Sequence, residues 1–269
     1  MKYTTTIAKL SGLLVFLYIS VSVGFYLFQD KFIFQADAME RDYVFEFDQD
    51  FEEYFISMPD GIEINALLFK TQQPSKGLII YFHGNADNLQ RWGEYAADLT
   101  PFGYQVLMVE YRGYGKSEGK PGEKEFYSDA ETVLKWATKN IPYNRLVLYG
   151  RSLGSAVASN LAVNSQPDLL ILETPFDELR GVVYPIFKPV LSFFPGRYTF
   201  SNKENLSKIK CEVLILHGTE DWVVPMSSAV QLKPFMKETD DFVIIEGGGH
   251  NDLKEYKDFH EALAMVLQD

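Results

Sequence analysis

The segment Gly150-Arg151-Ser152-Leu153-Gly154 follows directly on the apolar run Leu146-Val147-Leu148-Tyr149 and leads into the small-residue stretch Ser155-Ala156-Val157-Ala158-Ser159. A serine with glycine two places to either side, between a strand-like and a helix-like segment, is a candidate nucleophile. A strand that turns at once into a helix forces the residue at the bend into a strained backbone. Side chains at 150 and 154 would then collide with the neighbouring strand and helix, and glycine removes the collision. The spacing predicts a helix from Leu153, with its unpaired N–H groups and positive end facing the atom under attack. A Gly/Ser turn capping an ordinary helix fits the five residues alone, but the strand before and the small-residue helix after favour a nucleophile.

A serine hydroxyl attacks only when a base takes its proton, and the base needs an acid to fix its tautomer. The chain has four histidines. His250, in Gly247-Gly248-Gly249-His250-Asn251-Asp252, lies just past the last strand-like run, where a glycine loop can deliver an imidazole to a residue distant in sequence. His260, mid-helix beside Glu261, reads as a surface residue. The acid candidate is Asp221, in the loop His217-Gly218-Thr219-Glu220-Asp221-Trp222-Val223-Val224-Pro225. Glu173, at the end of another apolar run, is the alternative acid. Gly113-Tyr114-Gly115 with Gly119 resembles a nucleotide-binding glycine loop, but its third glycine falls one place late and no helix starts there, so a dinucleotide site is not expected.

Each candidate sits just after a strand-like run, so the runs are what must position them. Leu78–Phe82, Gln105–Val109, Leu146–Tyr149, Leu169–Leu172, Val213–Leu216 and Phe242–Ile245 are continuously apolar, as strands buried on both faces of a parallel sheet must be. Helical patterns fill the gaps at 87–99, 123–139, 153–164, 226–236 and 252–267. Ahead of them, Tyr54–Met58 and Ile62–Phe69 flank the turn Pro59-Asp60-Gly61 and read as a β-hairpin. The expected fold class is therefore α/β, an open, mostly parallel sheet of about eight strands with helices on both faces. Residues 174–208 are rich in aromatics and interrupted by Pro185, Pro189 and Pro195. They read equally as a buried cover of the sheet or as a short lid over a cleft at the strand ends.

The 269 residues, 46% hydrophobic, suit one globular domain with an appendage. A formal net charge of −12 disfavours a nucleic-acid partner, which demands a basic face. Cys211, the single cysteine, permits no internal disulfide and reads as a buried structural thiol. No Cys/His cluster suggests a metal.

Between Lys9 and Asp30 lie twenty uncharged residues. As a helix they span about 30 Å, the thickness of a bilayer's hydrocarbon core, so residues 10–29 are expected to cross a membrane. Lys2 and Lys9 precede the segment and Asp30, Asp37 and Glu40 follow it, which places the N-terminus in the cytoplasm and the remainder outside it. A cleaved signal peptide is the competing reading; the apolar stretch is long for one, and Ser20-Val21-Ser22 and Ala36-Asp37-Ala38 are poorly placed as cleavage sites. The resulting division is an anchor at 1–30 and a globular domain at 31–269.

Taken together, Tyr81-Phe82-His83-Gly84-Asn85-Ala86, Glu110-Tyr111-Arg112-Gly113-Tyr114-Gly115-Lys116-Ser117, the Ser152 segment, the Asp221 loop and Gly249-His250 resemble α/β-hydrolase-fold serine hydrolases. The likeness is greatest to the membrane-anchored group that includes the Bem46 proteins and the α/β-hydrolase-domain 13 and 17 proteins, and it extends from Phe32-Ile33-Phe34-Gln35 onward. The order Ser152, Asp221, His250 is the order of that fold. The resemblance implies an oxyanion hole made by the backbone N–H groups of Leu153 and Asn85, with the side chains of His83 and Asn85 shaping the loop. It also implies cleavage of an ester or thioester acyl bond of a small-molecule substrate without a metal or organic cofactor, and the aromatic segment 174–208 and the membrane tether point to a lipid or fatty-acyl one. A small-peptide peptidase and a non-catalytic tethered binding module are the alternatives.

Overall fold

The computed structural model describes residues 2–182 and 196–268. Its centre is an eight-stranded sheet: β1 Phe51–Ser57, β2 Glu63–Phe69, β3 Gly77–Phe82, β4 Tyr104–Val109, β5 Leu146–Arg151, β6 Leu169–Glu173, β7 Glu212–Gly218 and β8 Asp241–Ile245. Across the sheet the order is β1-β2-β4-β3-β5-β6-β7-β8. The hairpin β1–β2 and the β2–β4 pair are antiparallel and the remaining pairs parallel. The strand count, the parallel body and the leading hairpin match the sequence expectation.

Alternate residues of each central strand serve opposite faces, as the period of a strand requires. Leu78, Ile80, Phe82, Leu146 and Leu148 pack with Phe126, Val133, Ala156 and Leu161, so the Glu123–Asn140 and Leu153–Ser165 helices cover one face. Ile79, Tyr81, Val147 and Tyr149 pack with Leu89, Trp92, Phe259 and Leu263 on the other. Both faces are sealed by apolar side chains, which is why these runs read as unbroken hydrophobic strings.

Three helices expected to be continuous are broken. Residues 87–99 resolve into Leu89–Trp92, a tighter 3-10 turn at Gly93–Tyr95, and Ala96–Leu99. Residues 226–236 pass from Met226–Ala229 into a 3-10 turn, Val230–Phe235, that contains Pro234. The last helix starts only at Lys257, after a short turn at Leu253–Glu255. Cys211 is half-buried rather than buried, because β7 begins one residue after it; burial still pushes its thiol up to about 11.

Within the segment 174–208, Phe176 and Phe200 are buried in the core and Asn202–Leu206 forms a short helix, so this part covers the sheet. The lid expectation falls mainly on 183–195, which lie outside the described residues. At the N-terminus one helix runs from Lys2 to Ile33, and its Lys9–Ile33 part is long and apolar enough to cross a membrane. Ile33 and Phe34 are buried in the globular core, Phe34 packing edge-on to Phe126, Tyr198 and Phe200.

Candidate active site

Strand β5 ends at Arg151 and a helix begins at Leu153, so Ser152 alone makes the turn, at φ 51° and ψ −115°. Such a backbone is costly for a residue with a Cβ and persists only where its surroundings hold it. Here the Ser152 N–H donates to the Glu173 carbonyl at 2.9 Å, and the Ser152 carbonyl accepts from the Ser155 N–H at 3.0 Å and its hydroxyl at 2.6 Å. The glycines are sterically required. A Cβ on Gly150 would lie 2.3 Å from the Gly154 carbonyl oxygen, and one on Gly154 would lie 2.0 Å from that of Phe82.

Asp221 follows β7 and His250 follows β8, two neighbouring parallel strands whose loops open on the same edge of the sheet as the β5 turn. That topology brings the three sequence candidates together. His250 Nδ1 lies 2.7 Å from Asp221 Oδ2, and His250 Nε2 lies 3.1 Å from Ser152 Oγ. Asp221 is buried, and its other oxygen, Oδ1, accepts the N–H groups of Val223 at 2.9 Å and Val224 at 2.7 Å. Two backbone donors fix the carboxylate's rotation and leave Oδ2 for the imidazole. His217 also borders Asp221, its Nε2 3.8 Å from Oδ2. Burial pushes His217 below the usual imidazole range, so it stays neutral at pH 7 and does not compete as a cation.

Glu173, the alternative acid candidate, is engaged by other partners. It forms a buried ion pair with Arg151 at 3.1 Å and accepts the Tyr149 hydroxyl at 2.7 Å. Burial pushes the Tyr149 phenol well above its usual range, so the group remains a neutral donor. Arg151 in turn donates from Nη2 to the His250 carbonyl at 2.7 Å and to Asn251 Oδ1 at 3.1 Å, while its guanidinium stacks over Trp92 and Tyr95. The residue next to the serine thus holds the loop that carries the imidazole.

The loop after β3 is shaped by its own side chains, as expected for His83 and Asn85. His83 Nε2 lies 2.8 Å from Glu110 Oε1, and Glu110 Oε2 accepts the Leu89 N–H at 2.9 Å. The Asn85 amide donates to the Ile33 carbonyl at the end of the N-terminal helix, and its oxygen accepts the Tyr114 hydroxyl at 2.9 Å. Asn85 and Leu153 both line a cavity of about 400 Å³ that contains Ser152. Apart from Gln35 its wall is otherwise apolar, drawn chiefly from Phe32, Ile33, Phe176, Leu179, Trp222 and Val224, and none of its described lining residues is charged. His260 is exposed and bonded to the Lys254 carbonyl, far from this chemistry in role.

The sequence reading missed the function of Arg151, of the Val223 and Val224 amides, and of Phe32 and Ile33 as cavity wall. A charged residue inside G-x-S-x-G, directly before a buried serine, was the available signal for the first. The others depend on contacts between segments far apart in the chain and leave no local trace.

Comparison with known proteins agrees with this architecture. A family model described as serine aminopeptidase, S33, matches residues 73–199, a span that includes Ser152. The chain is 36% identical over 186 residues to the lysophosphatidylserine lipase ABHD12 of Danio rerio, covering 61% of this chain and 48% of that protein, so it spans about half the length of this relative. It is 29% identical over 212 residues to the human α/β-hydrolase domain-containing protein 17B, covering 77% of this chain and 72% of that one. Among solved structures, an esterase of Pyrococcus furiosus superposes with a TM-score of 0.69 at 19% identity over 88% of this chain and 97% of that chain, a likeness of fold.

Proposed function

Because this chain belongs to the α/β-hydrolase-fold serine hydrolases of the ABHD group, we propose that it cleaves the acyl bond of an ester or thioester through Ser152, His250 and Asp221. The observation that carries this reading is the continuous chain of contacts from Asp221 Oδ2 to His250 Nδ1 at 2.7 Å and from His250 Nε2 to Ser152 Oγ at 3.1 Å, opening on an apolar cavity.

In this reading His250 Nε2 takes the hydroxyl proton as Ser152 Oγ bonds to the substrate carbonyl carbon. The negative charge gathers on the carbonyl oxygen, where the N–H groups of Leu153 and Asn85 receive it; each such donor contributes about 3 to 4 kcal/mol to the transition state. Collapse expels the alcohol or thiol, which carries away the proton from His250 and leaves an acyl-serine. Water, deprotonated by the same imidazole, then releases the acid and restores the hydroxyl. Asp221 holds the imidazole with Nδ1 protonated throughout.

The apolar wall favours an acyl chain, lipid or fatty-acyl, over a peptide. An aminopeptidase must hold its substrate's α-ammonium with a fixed negative charge, and no described residue lining the cavity offers one. The reading is tested with a fluorophosphonate probe: the full-length protein is expected to label at Ser152 and the Ser152→Ala variant not at all. Equal labelling of the two sinks the assignment. A screen across acyl esters, thioesters and aminoacyl amides then ranks the substrate classes, with long-chain esters or thioesters expected first.

The helix Lys9–Ile33, long and apolar enough to cross a bilayer, supports residues 1–30 as an anchor; the charges that flank it, Lys2 and Lys9 before and Asp30, Asp37 and Glu40 after, support an N-terminus in the cytoplasm and the hydrolase domain, residues 31–269, on the other side. Alkaline phosphatase fused after residue 30 is expected to be active in bacterial cells. An inactive fusion would reverse the orientation.

A further inference from the structure

Twenty helical residues from Leu10 to Gln29 take up the roughly 30 Å of a bilayer's hydrocarbon core. Asp30 and Lys31 then stand among the headgroups, and Phe32 and Ile33 lie only about 5 Å beyond the hydrocarbon boundary. Those two residues line the cavity that holds Ser152. The cavity cannot drift away from that level, because the helix end is fastened to the globular part at several points. The Arg197 N–H donates to Gln29 Oε1 at 2.9 Å, the Tyr198 hydroxyl donates to Asp30 Oδ1 at 2.7 Å, Arg197 pairs with Asp30, and the Asn85 amide donates to the Ile33 carbonyl.

The same cavity has a second apolar edge. Trp222 is 91% exposed, Val223 54% and Phe32 57%. A tryptophan so exposed beside a buried carboxylate contributes nothing to the core, yet indole rings favour the level where lipid headgroups meet acyl chains. The adjacent helix surface is apolar too, with Leu27 and Phe28 exposed. Phe28 stands one helical turn before Phe32, so the exposed apolar side of the helix leads to the rim through Phe32, which shares the cavity with Trp222 and Val223.

We propose that Trp222 and Val223, together with Phe32, rest in the headgroup–acyl boundary of the leaflet from which the helix emerges. The cavity then opens onto lipid, and Ser152 meets an acyl chain that has not left the bilayer. The docking rests on the spanning helix, and the identity of the substrate rests on the acyl-hydrolase reading above.

The test uses full-length protein in phosphatidylcholine vesicles whose acyl chains are brominated near the headgroup, near the terminal methyl, or not at all. Subtracting the fluorescence of Trp222→Phe from that of the unsubstituted protein isolates Trp222 from Trp92 and Trp136. The Trp222 signal is expected to lose roughly half its intensity or more with bromine near the headgroup, and less with bromine near the methyl end. An equal signal in brominated and plain vesicles overturns the proposal. So does a Trp222 signal protected from aqueous iodide only at high protein-to-lipid ratio, which would mean that a second copy of the chain covers the rim. Quenching without fluorophosphonate labelling of Ser152 keeps the docking and removes the acyl-hydrolase reading; labelling without quenching does the reverse.

Discussion

Ser152→Ala is expected to lower kcat for acyl-ester hydrolysis by about 10⁴- to 10⁶-fold while the protein remains folded. Removing the hydroxyl removes the atom that bonds to the substrate, and His250 is left with no proton to take. Asp221→Asn is expected to cost about 10⁴-fold in kcat for a different reason. Asp221 Oδ1 accepts two backbone N–H groups, from Val223 and Val224, so an asparagine will keep its oxygen there and turn its amide donors toward His250 Nδ1. That forces the proton onto Nε2, where it points at Ser152 Oγ and blocks the base. Because the three residues act as a unit, the double variant is expected to lose little more than Ser152→Ala alone. Single-turnover kinetics with a chromogenic ester check both substitutions. Activity of Ser152→Ala within tenfold of the unsubstituted protein would remove Ser152 from the reaction, and an Asp221→Asn variant of undiminished rate would remove the tautomer argument.

Much of this site was legible in the sequence because parallel sheets write their geometry into local patterns. Strands buried on both faces must be apolar throughout, so β3 to β8 stood out as uninterrupted strings, and in such a sheet the loops after the strands collect at one edge. Glycine at 150 and 154 announced a tight bend because the neighbouring backbone leaves no room for a Cβ at either position. Helix continuity was less legible. The 226–236 pattern carried the right apolar spacing, yet Pro234 has no N–H to donate and the chain tightens into a 3-10 turn instead. The choice between Asp221 and Glu173 was not visible in residue spacing, since both carboxylates follow a strand. In space the two are differently engaged: Arg151 takes Glu173 as its partner, while the Val223 and Val224 amides orient Asp221 beside His250. The contribution of the helix end to the cavity was hidden for a simpler reason: Phe32 and Ile33 come just after the long apolar run and the charged pair Asp30-Lys31, and nothing local distinguishes a cavity wall there from the end of an apolar helix.

Arg151→Met is expected to destabilise the protein by about 3–5 kcal/mol, because it leaves the Glu173 carboxylate buried beside β5 without its counter-charge. In a domain of this size that corresponds to a fall in Tm of roughly 10 °C. Activity is expected to fall as well, through the other end of the same side chain. Arg151 Nη2 bonds the His250 carbonyl and Asn251 Oδ1, at 2.7 and 3.1 Å, so its loss frees the loop that holds the imidazole 3.1 Å from Ser152. The two effects separate in Arg151→Met/Glu173→Gln. Neutralising the abandoned carboxylate, with the Tyr149 hydroxyl still donating to the new amide oxygen, is expected to restore at least half of the lost stability. It does nothing for His250, so kcat is expected to stay about 10- to 100-fold down, the scale on which a misplaced catalytic group costs rate. Thermal unfolding and kcat measured on both variants decide the matter. If kcat recovers in step with Tm, Arg151 serves the fold alone; if Tm recovers and kcat does not, the residue beside the serine is what keeps the base in reach of it.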